Sequence, residues 1–201
     1  MKENMRDTLI QTMFESLYHE GYNASNLIDL LKKAGTSKGG MYHYFSSKKE
    51  LAIEAMRVVG ENFIDHFWGG YFEQYEDPLT ALNEILRELP NATIIGDSPF
   101  NFKYGCPLNH MIQEMSALDE DFKILLESLM DRWIALISKH LKSAQSSGFM
   151  GTSFDPDSAA RFIVSSIEGT LTLMKVKQDI HMYEEDTALL VRTLRALTSK
   201  E

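Results

Sequence analysis

The chain has 201 residues, 44% hydrophobic and 24% charged, a composition typical of an ordinary globular protein of one or two domains. The charged stretch MKENMRDTLIQ at its start lacks the apolar core of a signal peptide, and no apolar run approaches the ~20 residues that span a bilayer. A single cysteine excludes an intrachain disulfide framework, so we expect a cytoplasmic protein without a membrane partner.

Charge is unevenly distributed along the chain, whose formal net charge is −9. Residues 1–50 hold seven Lys and Arg against six Asp and Glu, a net of +1, whereas the remainder holds 13 against 23, a net of −10. A basic surplus of +3 lies within 24–50. This pattern indicates a nucleic-acid contact in the first part of the chain. The alternative is that the lysine pairs at 32–33 and 48–49 are solvated helix surface.

The first elements predicted along the chain are two helices. Residues 5–19 place apolar side chains at helical spacing, and Gly21 ends this helix. A shorter helix follows, with Ser25 as its predicted N-cap and Gly35 in the left-handed position after its last turn. A turn of about three residues comes next, which is the usual length in a helix-turn-helix.

The third helix, 38–44, is predicted to be capped by Ser37 and is too short and too polar to be core. Gly39 and Gly40 each weaken it by roughly 1 kcal/mol relative to Ala. Such a helix indicates a role other than stability, because small residues let the backbone approach DNA and polar side chains offer donors to phosphates and base edges. The predicted DNA-contacting residues are Ser37, Lys38, Gly39, Gly40, Tyr42, His43, Tyr44 and Lys48.

The segment 21–51 resembles the DNA-binding domain of the TetR family of bacterial transcriptional regulators. The matching residues are Gly21, Tyr22, Ala34, Gly35, Ser37, Lys38, Gly39, Met41, Tyr42, His43, Phe45, Ser47, Lys48 and Leu51. Gly40 departs from the small hydroxyl residue often found there. The resemblance implies a homodimer, most often a repressor, that binds a pseudo-palindromic operator on double-stranded DNA and responds to a small-molecule effector. The alternative is a helix-turn-helix DNA-binding protein without such a switch.

The rest of the chain is predicted to be helical. A long helix, 48–68, carries Phe63 on its inner face and Phe67 and Trp68 at its far end, before a pair of glycines breaks it. Further helices are predicted at 77–89, 106–116, 119–146, 155–179 and 184–197, and 90–105 is predicted as a loop, with a short strand as the alternative. We therefore predict an all-α protein of about nine helices. The resemblance implies an N-terminal DNA-binding domain, 1–50, and a C-terminal domain, 51–201, that binds the effector and dimerises.

No pattern in the sequence indicates catalysis. The six histidines are scattered, and no His, Cys or carboxylate cluster has metal-ligand spacing. Nucleophile-elbow, P-loop and dinucleotide motifs are lacking as well. We therefore predict no catalytic residue, no metal site, no cofactor and no enzymatic activity.

The segment 105–119 resembles a TetR subgroup in which a Gly-Cys pair stands at the start of the sixth helix beside the effector pocket. In some members that cysteine senses electrophiles or oxidants. A helix N-terminus favours thiolate, which makes Cys106 a candidate sensor with Lys175 as its electrostatic partner. The alternative is a packed, inert thiol.

A polar stripe of Glu168, Thr172 and Lys175 shares one face of helix 155–179 and faces either the effector cavity or solvent. The predicted effector is mostly apolar or aromatic with one polar group. The predicted effector-site residues are Phe63, Phe67, Trp68, Phe102, Tyr104, Cys106, Asn109, His110, Gln113, Trp133, Thr172 and Lys175.

Overall fold

The computed structural model describes residues 4–199, which form nine helices and one short two-stranded ladder, so the all-α prediction is confirmed. Eight helices are α1 Met5–Glu20, α2 Leu27–Lys33, α3 Lys38–Tyr42, α5 Pro78–Glu88, α6 Pro107–Met115, α7 Glu120–Ser146, α8 Pro156–Lys177 and α9 Ile180–Thr198. The remaining helix, α4, covers 48–74. Among the described residues, no helix has the length and apolar character needed to cross a bilayer.

Helix α4 is continuous through the two glycines that were predicted to break it. It runs as an α-helix over Lys48–Asn62, as a π-helix over Phe63–Trp68 and again as an α-helix over Gly69–Gln74. The prediction of a break was wrong because Gly69 keeps helical dihedral angles, φ −59° and ψ −41°. An interior glycine costs only about 1 kcal/mol, which tertiary packing overrides.

The π-helical stretch also changes which side chains of α4 are buried. The buried row is Leu51, Ala55, Val59, Ile64, Trp68 and Phe72, with one interval of five residues where the others are four. Phe63 and Phe67, which uniform helical spacing placed on or near the inner face, are only half-buried. A π turn adds one residue to the turn, and this displaces the apolar row by one position.

The N-cap of α2 is Asn26, whereas the sequence predicted Ser25. The Asn26 Oδ1 accepts from Ile28 N at 2.8 Å. The Ser25 side chain is buried, where its hydroxyl donates to the Gly21 carbonyl at 2.6 Å and accepts from Ser16 Oγ at 2.8 Å. Ser25 therefore closes the turn after α1 and leaves the cap to its neighbour.

The segment after α5 contains a short antiparallel ladder, β1 Thr93–Ile95 with β2 Ser98–Pro99, where a loop was predicted. Gly96 makes the tight turn between the strands with φ +53°. Helix α9 begins at Ile180, four residues earlier than predicted, because Asp179 caps it and accepts from His181 N at 3.0 Å.

The chain divides into two compact units. Unit 1 comprises 4–61, Thr93–Pro99 and Pro107–Leu129, and unit 2 comprises Asn62–Ala92, Phe100–Cys106 and 130–199. Unit 1 has its own core, in which Leu9, Met13, Leu17 and Met41 are fully buried. In unit 2 the core includes Tyr183, whose hydroxyl donates to the Leu86 carbonyl at 2.7 Å. The predicted DNA-contacting residues all lie in unit 1.

Candidate functional site

One side of the short helix α3 is buried, and its other side is exposed to solvent. Ser37 caps it as predicted, with its Oγ accepting from Gly40 N at 3.2 Å. Met41 and Phe45 are buried beneath the helix. Because these two fill the small core, Tyr42 and Tyr44 both stay exposed, Tyr42 by 55%. The structure therefore presents the polar side chains of this segment on one open surface.

The exposed side chains of this surface are donors. Lys38 and His43 are exposed, and the His43 ring packs edge-on against Tyr44 with the ring centroids 4.8 Å apart. Gly40 lies close to the Thr36 side chain, since a Cβ there would lie 2.3 Å from the Thr36 Oγ1. A hydroxyl residue at this position would require Thr36 to rotate.

Lys48, at the start of α4, has a partner for its charged group among residues 4–199. Its Nζ donates to the Tyr22 carbonyl at 2.6 Å and lies 4.4 Å from the centroid of the Tyr22 ring. Burial lowers the pKa of Lys48, and the charge of Glu114 opposes that effect. An ammonium group has three N–H donors, so this bond leaves two for another acceptor.

A carboxylate holds the turn after α1 in a way that sequence reasoning did not predict. Glu114, on α6, accepts from Tyr22 N at 2.7 Å, from Asn23 N at 2.8 Å and from Asn23 Nδ2 at 2.9 Å. The residues involved are about 90 positions apart, and no periodic pattern indicates such a pairing. The glycine at position 21 is the local sequence feature that indicates a turn, and its φ is +85° in the structure.

The neighbouring Lys49 is already paired with carboxylates. Its Nζ lies 2.8 Å from Asp119 and 2.6 Å from Asp121. The hydrogen bond to Asp119, followed by the one to Asp121, raises the pKa of Lys49. The same bond from Lys49 holds the pKa of Asp119 below its usual value. Lys49 is thus engaged with unit 1 itself, in contrast to the open Lys38.

The predicted effector residues of unit 2 form several aromatic contacts. Phe63 and Phe67 stack with centroids 4.8 Å apart, and the buried Trp68 and Trp133 meet edge-on at 4.7 Å. Phe102 packs against Tyr183 at 4.8 Å, and Tyr104 lies under the Lys103 ammonium group at 5.5 Å. The buried Trp133 Nε1 has no hydrogen-bond partner among the described residues.

The Gly-Cys pair lies beside Lys175 within unit 2. Gly105 has φ +73°, and a Cβ built on it would lie 3.4 Å from the Lys175 Cδ. Cys106 is half-buried, whereas Lys175 is exposed.

The other predicted effector residues differ in burial and in unit. The polar stripe is divided, because Glu168 is buried while Thr172 and Lys175 are exposed. Three predicted residues belong to unit 1 and not to unit 2. They are Asn109 and His110, which are half-buried, and Gln113, which is exposed.

Two family models match the chain. One is described as bacterial regulatory proteins of the tetR family and matches residues 9–55. The other is described as the tetracyclin repressor-like C-terminal domain and matches residues 85–189, about half of the chain.

Relatives match over most of the chain. An HTH-type transcriptional regulator in the lacX 3' region of Lactococcus lactis subsp. lactis is 29% identical over 197 residues, which cover 98% of this chain and 96% of that protein. The transcriptional regulator AcuR of Cereibacter sphaeroides is 26% identical over 170 residues, or 85% of this chain and 76% of AcuR. The crystal structure of the reduced form of E. coli NemR has the same fold, with a TM-score of 0.82, 19% identity and coverage of 98% of both chains.

Proposed function

Because the chain belongs to the TetR family of bacterial transcriptional regulators, we propose that it is a homodimeric repressor whose operator binding is controlled by a small molecule. The observation that carries this proposal is the open surface of α3. There, the buried Met41 side chain anchors the helix, and Lys38, Tyr42 and His43 are exposed to solvent. The contacts with DNA all lie within 1–50, and 51–201 carries the effector site and the dimer interface.

The operator is a pseudo-palindromic duplex read by one α3 helix from each subunit. Lys38, Tyr42, His43 and Lys48 contact phosphates. Ser37, Gly39, Gly40 and Tyr44 lie close to the groove, where their small size or polar tip suits a close approach. Two such helices in successive major grooves are separated by roughly 34–36 Å.

The dimer interface lies on α8 and α9. Exposed large apolar side chains support it, because such side chains in a group on one pair of helices mark an interaction surface. Val176 is the most exposed of them at 77%, and the group comprises Phe162, Leu173, Val176, Ile180, Leu189 and Leu197. Two copies would bury these side chains in a bundle of four helices.

The effector is a mostly apolar or aromatic molecule with one hydrogen-bond acceptor. The aromatic contacts of unit 2 provide apolar surface, and the buried Trp133 Nε1 is a donor without a partner among the described residues. A buried donor costs free energy until it is paired, so a ligand acceptor at this nitrogen would gain that amount. The proposed lining residues are those predicted effector residues that belong to unit 2, namely Phe63, Phe67, Trp68, Phe102, Tyr104, Cys106, Trp133, Thr172 and Lys175.

Cys106 is a second input of the same switch, in the manner of the subgroup with a Gly-Cys pair. The support is the packing of Lys175 beside Gly105, which brings an ammonium-bearing side chain next to the residue preceding the thiol. A thiolate attacks hypochlorous acid, takes up its oxygen as a sulfenic acid and releases chloride. The new polar group biases the spacing of the two DNA-binding surfaces, as a ligand does.

Genomic footprinting tests the DNA-binding part of the proposal. We expect discrete palindromic sites that are lost with Tyr42→Ala and retained with Ile28→Ala, an exposed residue of α2 outside α3. Footprints without discrete palindromes would contradict the operator. The cytoplasm remains the predicted place of action because the target is DNA.

Screening small molecules by thermal shift, followed by operator release, tests the switch. A chain that binds its operator yet never responds to a molecule or an oxidant is a DNA-binding protein without a switch. For Cys106, hypochlorite should release operator from the parent and not from Cys106→Ser. Equal release from both would remove the thiol from the mechanism.

A further inference from the structure

We propose that Glu114 is a positioning residue for DNA binding, which acts through the backbone of Tyr22 and Asn23 on the ammonium group of Lys48. The inference rests on the proposed phosphate contact of Lys48. It concerns unit 1 only, to which all four residues belong.

The Glu114 carboxylate is fully committed to one turn. Its Oε2 accepts from Tyr22 N at 2.7 Å, and its Oε1 accepts from Asn23 N at 2.8 Å and from Asn23 Nδ2 at 2.9 Å. Hydrogen bonds to an ionised acceptor are shorter and roughly twice as strong as neutral ones. Three of them on two consecutive residues fix both the place and the orientation of the turn.

The turn is shaped around the carboxylate. Gly21 has φ +85°, a conformation that residues with a Cβ rarely adopt. A Cβ on Gly21 would lie 2.5 Å from the Glu114 Oε2, inside the contact distance of the two atoms. Glycine at this position is therefore needed both for the backbone and for the approach of Glu114.

A single peptide group connects the carboxylate to the lysine. The peptide between Tyr22 and Asn23 donates through its N–H to Glu114 at 2.8 Å and accepts through its C=O from Lys48 Nζ at 2.6 Å. An anion thus lies at the positive end of the peptide dipole and a cation at the negative end. Each charge polarises the peptide in favour of the other, so the two bonds strengthen each other.

The Tyr22 ring completes the site of the ammonium group. It lies 4.4 Å from Lys48 Nζ and packs edge-on against the buried Phe122 at 4.9 Å. Lys48 is the first residue of α4, and its two remaining N–H donors are available to a phosphate. Loss of Glu114 would free the peptide to rotate, and the ammonium group would lose its fixed position.

Charge repulsion alone and the proposed positioning role predict opposite effects of Glu114→Gln on DNA affinity. Removing a negative charge from a protein normally strengthens its binding to DNA, because repulsion from the phosphates decreases. If Glu114 only repels DNA, Glu114→Gln binds more tightly than the parent. If Glu114 positions Lys48, the same variant binds more weakly, because glutamine directs an NH2 group at one of the backbone donors.

The experiment compares Glu114→Gln with Glu127→Gln, which removes one charge from an exposed side chain of α7 in the same unit. Fluorescence anisotropy measures Kd on the operator and on a duplex of unrelated sequence, since a phosphate contact acts on both. We expect Glu114→Gln to weaken binding about tenfold on both duplexes. Glu127→Gln should leave Kd unchanged or slightly lower. Asn23→Ala keeps both backbone bonds to Glu114 and removes the side-chain bond to it, together with the contact of Nδ2 with the Met115 Sδ, so it should give a smaller loss.

Two further measurements separate positioning from a general loss of structure. In the double variant with Lys48→Met, Glu114→Gln should add no further loss of affinity, because its effect passes through Lys48. Hydrogen exchange should accelerate at the Tyr22 and Asn23 amides while the amides of α1 keep their protection. Tighter binding by Glu114→Gln, additive losses in the double variant, or unchanged exchange at the two amides would each overturn the proposal. Absence of a discrete operator would contradict only the proposed function. The effect of Glu114→Gln on Kd could still be measured on the duplex of unrelated sequence.

Discussion

Replacing Lys48 by methionine tests the phosphate contact that the proposed DNA complex assigns to this residue. Methionine keeps the unbranched apolar stem against Tyr22 and removes the charge that lies 4.4 Å from the ring. Each phosphate contact contributes about 0.9 to the slope of log K against log salt concentration, so a dimer that loses two contacts loses about 1.8. Raising the salt concentration from 50 to 200 mM weakens the DNA binding of both proteins. We expect the fold-decrease in affinity to be about 12 times smaller for the variant than for the parent.

Lys49→Met is the matched control for this measurement. The ammonium group of Lys49 is held by Asp119 at 2.8 Å and Asp121 at 2.6 Å, so its removal should leave the salt slope unchanged. Anisotropy titrations at five salt concentrations give both slopes. A parental slope in Lys48→Met, or an equal change in Lys49→Met, would show that Lys48 only ties α4 to the turn after α1.

Three further predictions concern stability. Met41→Ala should lower the free energy of unfolding by about 2–5 kcal/mol, since Met41 is fully buried beneath α3, as urea denaturation will show. Tyr183→Phe should cost about 1–3 kcal/mol in the same assay, because it leaves the buried Leu86 carbonyl without its donor at 2.7 Å. The hydrogen bond from Arg57 holds the pKa of Glu54 below its usual value, against burial and together with Arg6. Because folding lowers this pKa, the stabilisation is present above the unfolded-state pKa of about 4.3 and is lost as the pH falls through the folded-state pKa. Glu54→Gln should therefore flatten the acid limb of a pH–stability profile.

The sequence predicts the elements of this fold well where its signals are local. The cap at Ser37, the left-handed glycine at 35 and the Asp-Pro start of α5 are all confirmed, because each depends on a few adjacent residues. Periodicity also located α7 and α8 to within about two residues. Local chemistry of this kind is determined by side chains within one turn of each other.

Signals that depend on distant partners were not available from the sequence. Serine is a common N-cap residue, yet the Ser25 hydroxyl bonds instead to the Gly21 carbonyl and the Ser16 hydroxyl. The bond from Tyr22 to Glu114 joins residues 92 positions apart, and no local pattern in the sequence indicates it. Among the proposed effector residues, spacing likewise gave no sign that Trp68 and Trp133 meet.

The π-helical stretch of α4 has a consequence for insertions and deletions. Deleting one residue from an α-helix normally rotates everything after it by about 100° and moves a buried row to another face. Here, deleting one residue between Val59 and Ile64 would shorten the interval from five to four and keep Trp68 and Phe72 in the row begun by Leu51. The helix would become a regular α-helix without the π-helical stretch. This segment of α4 should therefore tolerate the deletion of one residue better than the insertion of one residue.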